Sequence, residues 1–492
     1  MLELTSIAIL IAVFGILMVT SVLSSRLLER LGVPIVLLFI VLGMLAGSEG
    51  IGGIEFEDYA LAFRLGTIAL ILILFDGGLN TPLASIRSAF LSAGILATVG
   101  VIGTAGMVAL GGRLFGLSWQ ESLLLGAIVS STDAAAVFAV LRGAGLQLNR
   151  RVRTTLEIES SVNDPMAVIL TISVIQGITG DAPDWRWLLV SVPMQLLIGL
   201  LIGLACGWLT RVLLQRIRLT TSGLYPVLTL GLAFLAFGAA TLAQGSGIMA
   251  VYTAAVVLGN SHVPYRAGLA RVHDGLAWLS QIAMFVMMGL LVFPSQLLPV
   301  AGQGLGIAAF LAFIARPLVV ALCLLPCRFP AKETLYMGWV GLRAAVPIIL
   351  ATFPLLSGIP GAGKVFNIVF FVVVANSALL PGATIRFVTR RLGLQMPDTP
   401  TPTAALEINS NRLLRGELMS FFVTDVLAVA NMPLSRIPFP PHASVVLLVR
   451  GEELIAPRGS TVLQPGDHAY VFCRPEDRPF LELLFGRSQE HA

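Results

Sequence analysis

Along roughly the first 390 residues, apolar runs of near twenty residues alternate with short polar or basic stretches. A bilayer core about 30 Å thick takes roughly twenty residues of helix, so this pattern predicts membrane-spanning helices. About thirteen spans are expected, near 5–24, 33–48, 61–80, 89–111, 121–141, 156–179, 187–214, 223–244, 248–260, 274–293, 298–324, 334–356 and 365–385. The second and ninth are short for a crossing. After residue 391 the pattern changes. The stretch LGLQMPDTPTPTA (392–404) reads as an extended Pro- and Thr-rich linker. From 405, short runs (MSFFV, SVVLLVR, HAYVFC) alternate with Pro- and Gly-bearing turns and close on PEDRPFLELLFG, a strand-rich domain ending in a helix. The expected fold class is an all-α polytopic membrane domain over 1–391 and a small cytoplasmic α+β domain over 405–492.

Composition agrees. Hydrophobic residues are 56% of 492 and charged residues 12%, about half the roughly 25% of soluble chains. Mean hydropathy is +0.90. The net charge of +4 does not call for nucleic acid, because topology accounts for the basic residues. Arg26 and Arg30, Arg87, Arg142 with Arg150, Arg151 and Arg153, Arg211 with Arg216 and Arg218, Arg266 and Arg271, Arg328 and Lys332, and Arg386, Arg390 and Arg391 fall on alternate loops. The opposite loops carry Arg113, Arg186 and Lys364 and the acidic stretch from Glu49 to Asp58. The positive-inside rule then puts the N-terminus outside and the C-terminus in the cytoplasm. The segment MLELTSIAILIAVFGILMVTSVL lacks a basic n-region and a small-residue cleavage site, so it reads as a retained first span. Cys323 and Cys327 share an i,i+4 face, but no His or further Cys is near; they read as apolar filler, not metal ligands.

Two carboxylates interrupt the apolar runs: Asp133 in LLLGAIVSSTDAAAVFAVL and Asp164 in LEIESSVNDPMAVILTISVI. A charge at bilayer depth costs roughly 2.5–3.5 kcal/mol on insertion scales, so each marks a candidate functional site. SSTD is a poor helix-forming stretch, since Ser, Thr and Asp bond locally to the backbone. WVGLRAAVPIILATFP carries Gly341, Arg343, Pro347 and Pro354 in an otherwise apolar run, and Pro breaks helical hydrogen bonds. Interrupted helices in corresponding positions of two halves point to a transporter binding site. A buried carboxylate holds a proton or helps hold a cation, but not both well, and that competition is antiport chemistry. Asp164 is the first candidate for this exchange. Asp133 adds a second anionic oxygen, and Thr132 and Ser160 offer neutral oxygens suited to an alkali cation. The bland alternative is a buried carboxylate satisfied by neighbouring donors. Glu159 and Arg343, both intramembrane, are expected to pair as a structural ion pair. Asp76 in ILILFDGGL is either a further site residue or an interfacial carboxylate facing water. Arg316 has no evident partner, and His273 with Asp274 reads as a solvated pair at the cytoplasmic edge, with a pH sensor as the alternative.

At LFDGGL, GAIVSSTDAAAVF, TLEIESSVNDPMAVILT, GSGIMAVY, DGLAWLSQIAMF and WVGLRAAVPIILA the chain resembles the bacterial NhaP-type, or cell-volume-regulation, potassium/proton antiporters of the monovalent cation:proton antiporter superfamily. The resemblance implies an inverted-repeat fold of thirteen spans and elevator-like alternating access. It also implies a mobile core of spans three to six and ten to thirteen, and a homodimer in the bacterial inner membrane. It marks Asn163–Asp164 as the transport pair, and Thr132, Asp133 and Ser160 as ion ligands. It matches Glu159–Arg343 to a stabilising pair and puts an acidic residue at Asp76. The expected cargo is K⁺ or Na⁺ against H⁺, with no cofactor. The tail, with IAPRGSTVLQPGDHAYVFC, looks like the C-terminal half of the potassium-conductance regulator fold (TrkA-C) and would take a cytosolic ligand not named by the sequence. It has no GxGxxG for a dinucleotide.

A potassium channel or uptake subunit gated by the tail is the rival from another class. TSGLYP at 221–226 is only an echo of a TVGYG filter, and a channel has no need of intramembrane carboxylates. An intramembrane protease could use two aspartates, but thirteen spans with a central Arg and an Asn–Asp pair fit it poorly. The expectation is a transporter, not an enzyme.

Overall fold

Apart from two interruptions, the apolar runs of the first 391 residues are helical where the structure, a computed structural model, describes them. It describes residues 12, 14–20, 22–23, 35–142, 146–180, 185–217, 219, 221–343, 345–396 and 416–486. In order the helices begin with α1 (Ile35–Ala46), α2 (Tyr59–Leu79), and α3 (Leu83–Ile95), which runs through a π-helical turn (Leu96–Gly100) into α4 (Val101–Leu114). Next come α5 (Trp119–Ile128), α6 (Ala134–Arg142), α7 (Arg150–Thr179), α8 (Trp185–Arg216), α9 (Leu224–Leu242), α10 (Gly247–Gly259), α11 (Arg266–Leu290) and a short α12 (Pro294–Leu297). A second π turn (Leu311–Ala315) joins α13 (Ala301–Phe310) to α14 (Arg316–Leu324). Then follow α15 (Ala331–Trp339), α16 (Ala345–Leu356), α17 (Ala362–Val374), a third π turn (Ala375–Leu379) and α18 (Pro381–Leu392). Among the described residues, 7 helical stretches are long and apolar enough to cross a membrane; α1, α10 and α16 are shorter apolar helices. Most of the expected span 5–24, together with Arg26, Arg30 and Arg218, lies outside the described residues.

Two interruptions fall where the sequence suggests them. Residues 129–133 leave the helical path between α5 and α6, and residues 340–343 between α15 and α16. The second break precedes Pro347, which sits in the first turn of α16, where a missing N–H costs nothing.

The expected linker starts later than the sequence suggests. Gly393 adopts a left-handed conformation (φ 67°) and caps α18, and the Leu394 N–H bonds the Thr389 carbonyl at 3.2 Å. Strand β2 (Gln395–Met396) then pairs antiparallel with β1 (Gln147–Leu148), so residues 392–396 stay with the helices. Residues 397–415 lie outside the described residues.

The chain divides into two compact units, 1–212 with 226–261 and 270–396, and 213–225 with 262–269 and 397–492. In the second, β3 (Glu417–Phe422), β4 (Ser444–Arg450), β5 (Glu453–Ile455) and β6 (Asp467–Cys473) form an antiparallel sheet in the order β3-β6-β4-β5. Helix α19 (Arg478–Phe485) packs Leu481 and Phe485 into a core with Met419, Phe421, Leu448 and Val471. Asp467 is buried and takes a bidentate bond from Arg450 (Nε 2.7 Å, Nη2 2.8 Å). That hydrogen bond holds the Arg450 guanidinium above its ordinary pKa.

Within the first unit, α1 and α11 cross at two facing glycines. A Cβ on Gly43 would lie 2.1 Å from the Val286 carbonyl oxygen, and one on Gly289 would lie 2.2 Å from that of Ile40. Small residues permit this backbone approach in membrane helices. Gly289→Ala is therefore expected to lower the stability of the solubilised protein by about 1–3 kcal/mol. Gly231→Ala, where a Cβ meets nothing within 4 Å, should not. Equal thermal melts for the two variants would show that the crossing is not this tight.

Candidate functional site

The site grows from the two interruptions, which cross each other. The N–H of Asp133 donates to the Leu342 carbonyl at 2.9 Å, tying one break to the other. Arg343, fully buried, aims Nη1 at the carbonyls of Ser130 (2.6 Å) and Ser131. Ser377, in the third π turn, donates to the carbonyl of Arg343. Unpaired backbone groups at membrane depth cost several kcal/mol each, so these bonds are what permits irregular backbone there. Asp133 Oδ1 accepts from the Ala136 N–H at 3.1 Å and caps α6.

Helix α7 supplies the remaining groups on two faces. Glu157, Ser160, Ser161 and Asp164 follow i, i+3, i+4, i+7 and line one cavity of about 390 Å³. Thr132, Asp133, Asp76, Tyr252 and Asp274 line it as well, and it reaches Arg153 and Asn80, near the ends of α7 and α2. Asp164 is 7% exposed and accepts a hydrogen bond from the Ser131 hydroxyl. Asn163 Nδ2 donates to Thr132 Oγ1 at 2.6 Å. Ser160 Oγ donates to the Thr132 carbonyl (2.9 Å) and accepts from the Ala134 N–H (3.1 Å). Asp76 accepts from Asn80 Nδ2 at 3.2 Å. The candidate residues Asp164, Asp133, Asn163, Thr132 and Ser160 thus meet at one place, with Asp76 on the same cavity. Its oxygen-rich wall could hold a dehydrated cation or a proton.

Sequence reasoning missed Ser131, Glu157, Ser161 and Tyr252. The i, i+3, i+4, i+7 stripe in EIESSVND could have found Glu157 and Ser161. His273 corrects another expectation. It is fully buried, with Nε2 at 2.8 Å from the Thr229 hydroxyl and its ring 4.8 Å from that of Phe75. Asp274 is exposed and lines the cavity. Neighbours on a helix point about 100° apart, so the two do not act as a solvated pair.

The ion pair expected between Glu159 and Arg343 runs elsewhere. Glu159 Oε1 lies 2.6 Å from Arg316 Nη2, with both side chains buried. The contact is one of charge, not an aligned hydrogen bond. Arg343 lies close enough to feel both Glu159 and Arg316, but its hydrogen bonds, from Nη1, go to backbone carbonyls. The second π turn precedes Arg316, and Gly341 leaves room for its side chain, since a Cβ there would stand 3.1 Å from Arg316 Nε.

Residues 11–391 match the family described as "Sodium/hydrogen exchanger, transmembrane". The chain belongs to the sodium/hydrogen exchanger family. Residues 418–485 match the TrkA-C domain. The chain is 40% identical to a K(+)/H(+) antiporter NhaP of Alkalimonas amylolytica over 480 residues, 96% of this chain and 83% of that protein. It is 39% identical to a K(+)/H(+) antiporter NhaP2 of Shewanella oneidensis, covering 97% of this chain and 83% of that protein. Among solved structures, the sodium proton antiporter MjNhaP1 from Methanocaldococcus jannaschii at pH 8 superposes with a TM-score of 0.67 at 23% identity. That match covers 78% of this chain and 99% of that one, and it shows that this exchanger shares the fold.

The repaired pairing is testable. Removing one partner of a buried pair costs roughly 3–5 kcal/mol because the other charge is stranded. Glu159→Gln and Arg316→Gln should each lower the melting temperature in detergent, and the double variant should regain part of the loss. Glu159→Gln with Arg343→Gln should regain less, since Arg343 feels Glu159 without contacting it. Coupling in the Arg343 cycle and none in the Arg316 cycle would reverse the assignment.

Proposed function

We propose that this protein is a secondary active monovalent cation/proton antiporter, exchanging K⁺ foremost, and Na⁺ as well, against H⁺ by alternating access. The observation that carries this reading is the setting of Asp164. It is a buried carboxylate whose hydrogen-bonding partner is a neutral hydroxyl, at the wall of a cavity reaching Arg153 and Asn80. Such a group is neutralised by a proton or by a cation, and one displaces the other. In this reading Asp164 carries the exchange and Asn163 orients Thr132. Asp133, Thr132 and Ser160 supply further oxygens, and Asp76 meets the ion on its way in. The names of the relatives favour K⁺ as cargo.

The finer architecture belongs to the same proposal. The two crossing breaks and the likeness to MjNhaP1 support thirteen spans in two inverted repeats, moving as an elevator in a homodimer. Basic residues on alternate loops support an inner-membrane protein with its N-terminus in the periplasm and the TrkA-C domain in the cytoplasm. With that orientation the cavity opens inward. The tail regulates and does not carry transport, because every proposed ligand lies before residue 165; its effector is a cytosolic ligand.

Proteoliposomes with a trapped pH dye, challenged with K⁺, Na⁺ and Li⁺, test the activity. Asp164→Asn cannot release a proton and should abolish exchange of every cation; full exchange by this variant would move the proton site elsewhere. Asp133→Asn should raise the cation KM and keep turnover. Truncation at Asp398 should leave exchange intact while shifting its pH profile. A truncated protein that inserts normally but exchanges nothing at any pH would make the tail part of the transport machinery.

A further inference from the structure

Ser131 sits where the backbone lock and the carboxylate meet. Its side chain is buried in the unwound segment between α5 and α6 and lines the cavity. Its carbonyl is held by Arg343 Nη1, and the N–H of Asp133, two residues on, is held by the Leu342 carbonyl. With the backbone fixed from the second broken helix, only the hydroxyl is left to adjust. That hydroxyl donates to Asp164 Oδ1, and Asn163 Oδ1 stands 3.4 Å away as a second acceptor.

We propose that Ser131 is a positioning residue for exchange at Asp164 and a further oxygen ligand for the cation. The inference rests on the antiporter reading and adds to it a residue that must work in every loaded state. A hydroxyl has one proton and two lone pairs. In the ion-free state it donates to the carboxylate and fixes that oxygen at the cavity wall. When the carboxyl is protonated, its O–H donates to Ser131 Oγ, and the Ser131 proton turns to Asn163 Oδ1. When a cation arrives, the same turn to Asn163 presents the Oγ lone pairs to the ion. The turns of the Ser131 hydroxyl break only hydrogen bonds; the proton that Asp164 gives up when a cation arrives leaves through the cavity that it lines. Because Arg343 grips the same residue, the position of the second interrupted helix sets where this oxygen points.

The test is cation titration of dye-loaded proteoliposomes at fixed pH, with wild type, Ser131→Ala, Ser131→Thr and Asp164→Asn prepared alike. Loss of one neutral oxygen partner should raise the KM for K⁺ about threefold to tenfold while the maximal rate holds within about twofold. Ser131→Thr, which keeps the hydroxyl, should recover most of that shift. The K⁺ concentration that half-saturates the thermal shift of the detergent-solubilised protein should rise in parallel in Ser131→Ala. If Ser131→Ala does not accumulate, Ser131→Cys replaces it, since sulfur is a poor ligand for a hard cation, and the same KM shift is required. An unchanged KM, or a lost maximal rate at unchanged KM, would reduce Ser131 to a structural residue. Absence of exchange by the wild type with any cation would instead overturn the antiporter reading itself.

Discussion

A helix broken inside a bilayer exposes carbonyls that no water satisfies, and the membrane unit is organised around the charge that answers them. Arg343 places its guanidinium against the carbonyls of Ser130 and Ser131, while the Asp133 N–H meets the Leu342 carbonyl. Each break therefore repairs the other. One nitrogen, Nη1, reaches both carbonyls, and the delocalised guanidinium keeps its charge in a buried site where an amine would tend to lose its proton.

A buried Arg343 imposes a second requirement. Its charge needs an anion nearby, and Glu159 supplies one while contacting Arg316 directly. Helix α7 thus carries two chemistries on nearly opposite faces. Glu159 faces the arginines, and Glu157, Ser160, Ser161 and Asp164 face the cavity. Pro165 follows Asp164 and removes the N–H that would have bonded the Ser161 carbonyl, loosening the helix beside the carboxylate.

Much of this was legible in the sequence, and the rest follows from distances that no linear pattern encodes. Apolar run length announced the helices, and SSTD and GLR announced the breaks through local backbone competition and a misplaced charge. The need of Glu159 for a cation was legible too. Which cation was not, because Arg316 and Arg343 both satisfy it by composition and only the π turn before Arg316 and the clearance at Gly341 decide. Ser131 escaped because a serine at membrane depth is cheap and so carries no alarm, unlike an aspartate. His273 was misread because adjacency along the chain was taken for adjacency in space. Leu392 to Met396 were misread because Pro and Thr further on colour the composition of the whole window.

The same distances explain how a permanent positive charge can lie near Asp164 without disabling the exchange proposed for it. A guanidinium never gives up its proton, so an arginine bonded to Asp164 would hold it ionised and occupied, leaving neither proton nor cation anything to compete for. The two buried arginines are committed elsewhere, Arg316 to Glu159 and Arg343 to two backbone carbonyls. Asp164 is left with the hydroxyl of Ser131, a partner that can donate, accept or turn away. In the proposed exchange that neutrality is the operative feature, since a site of this kind must be unsatisfied enough to bind either ion and satisfied enough to remain folded between them.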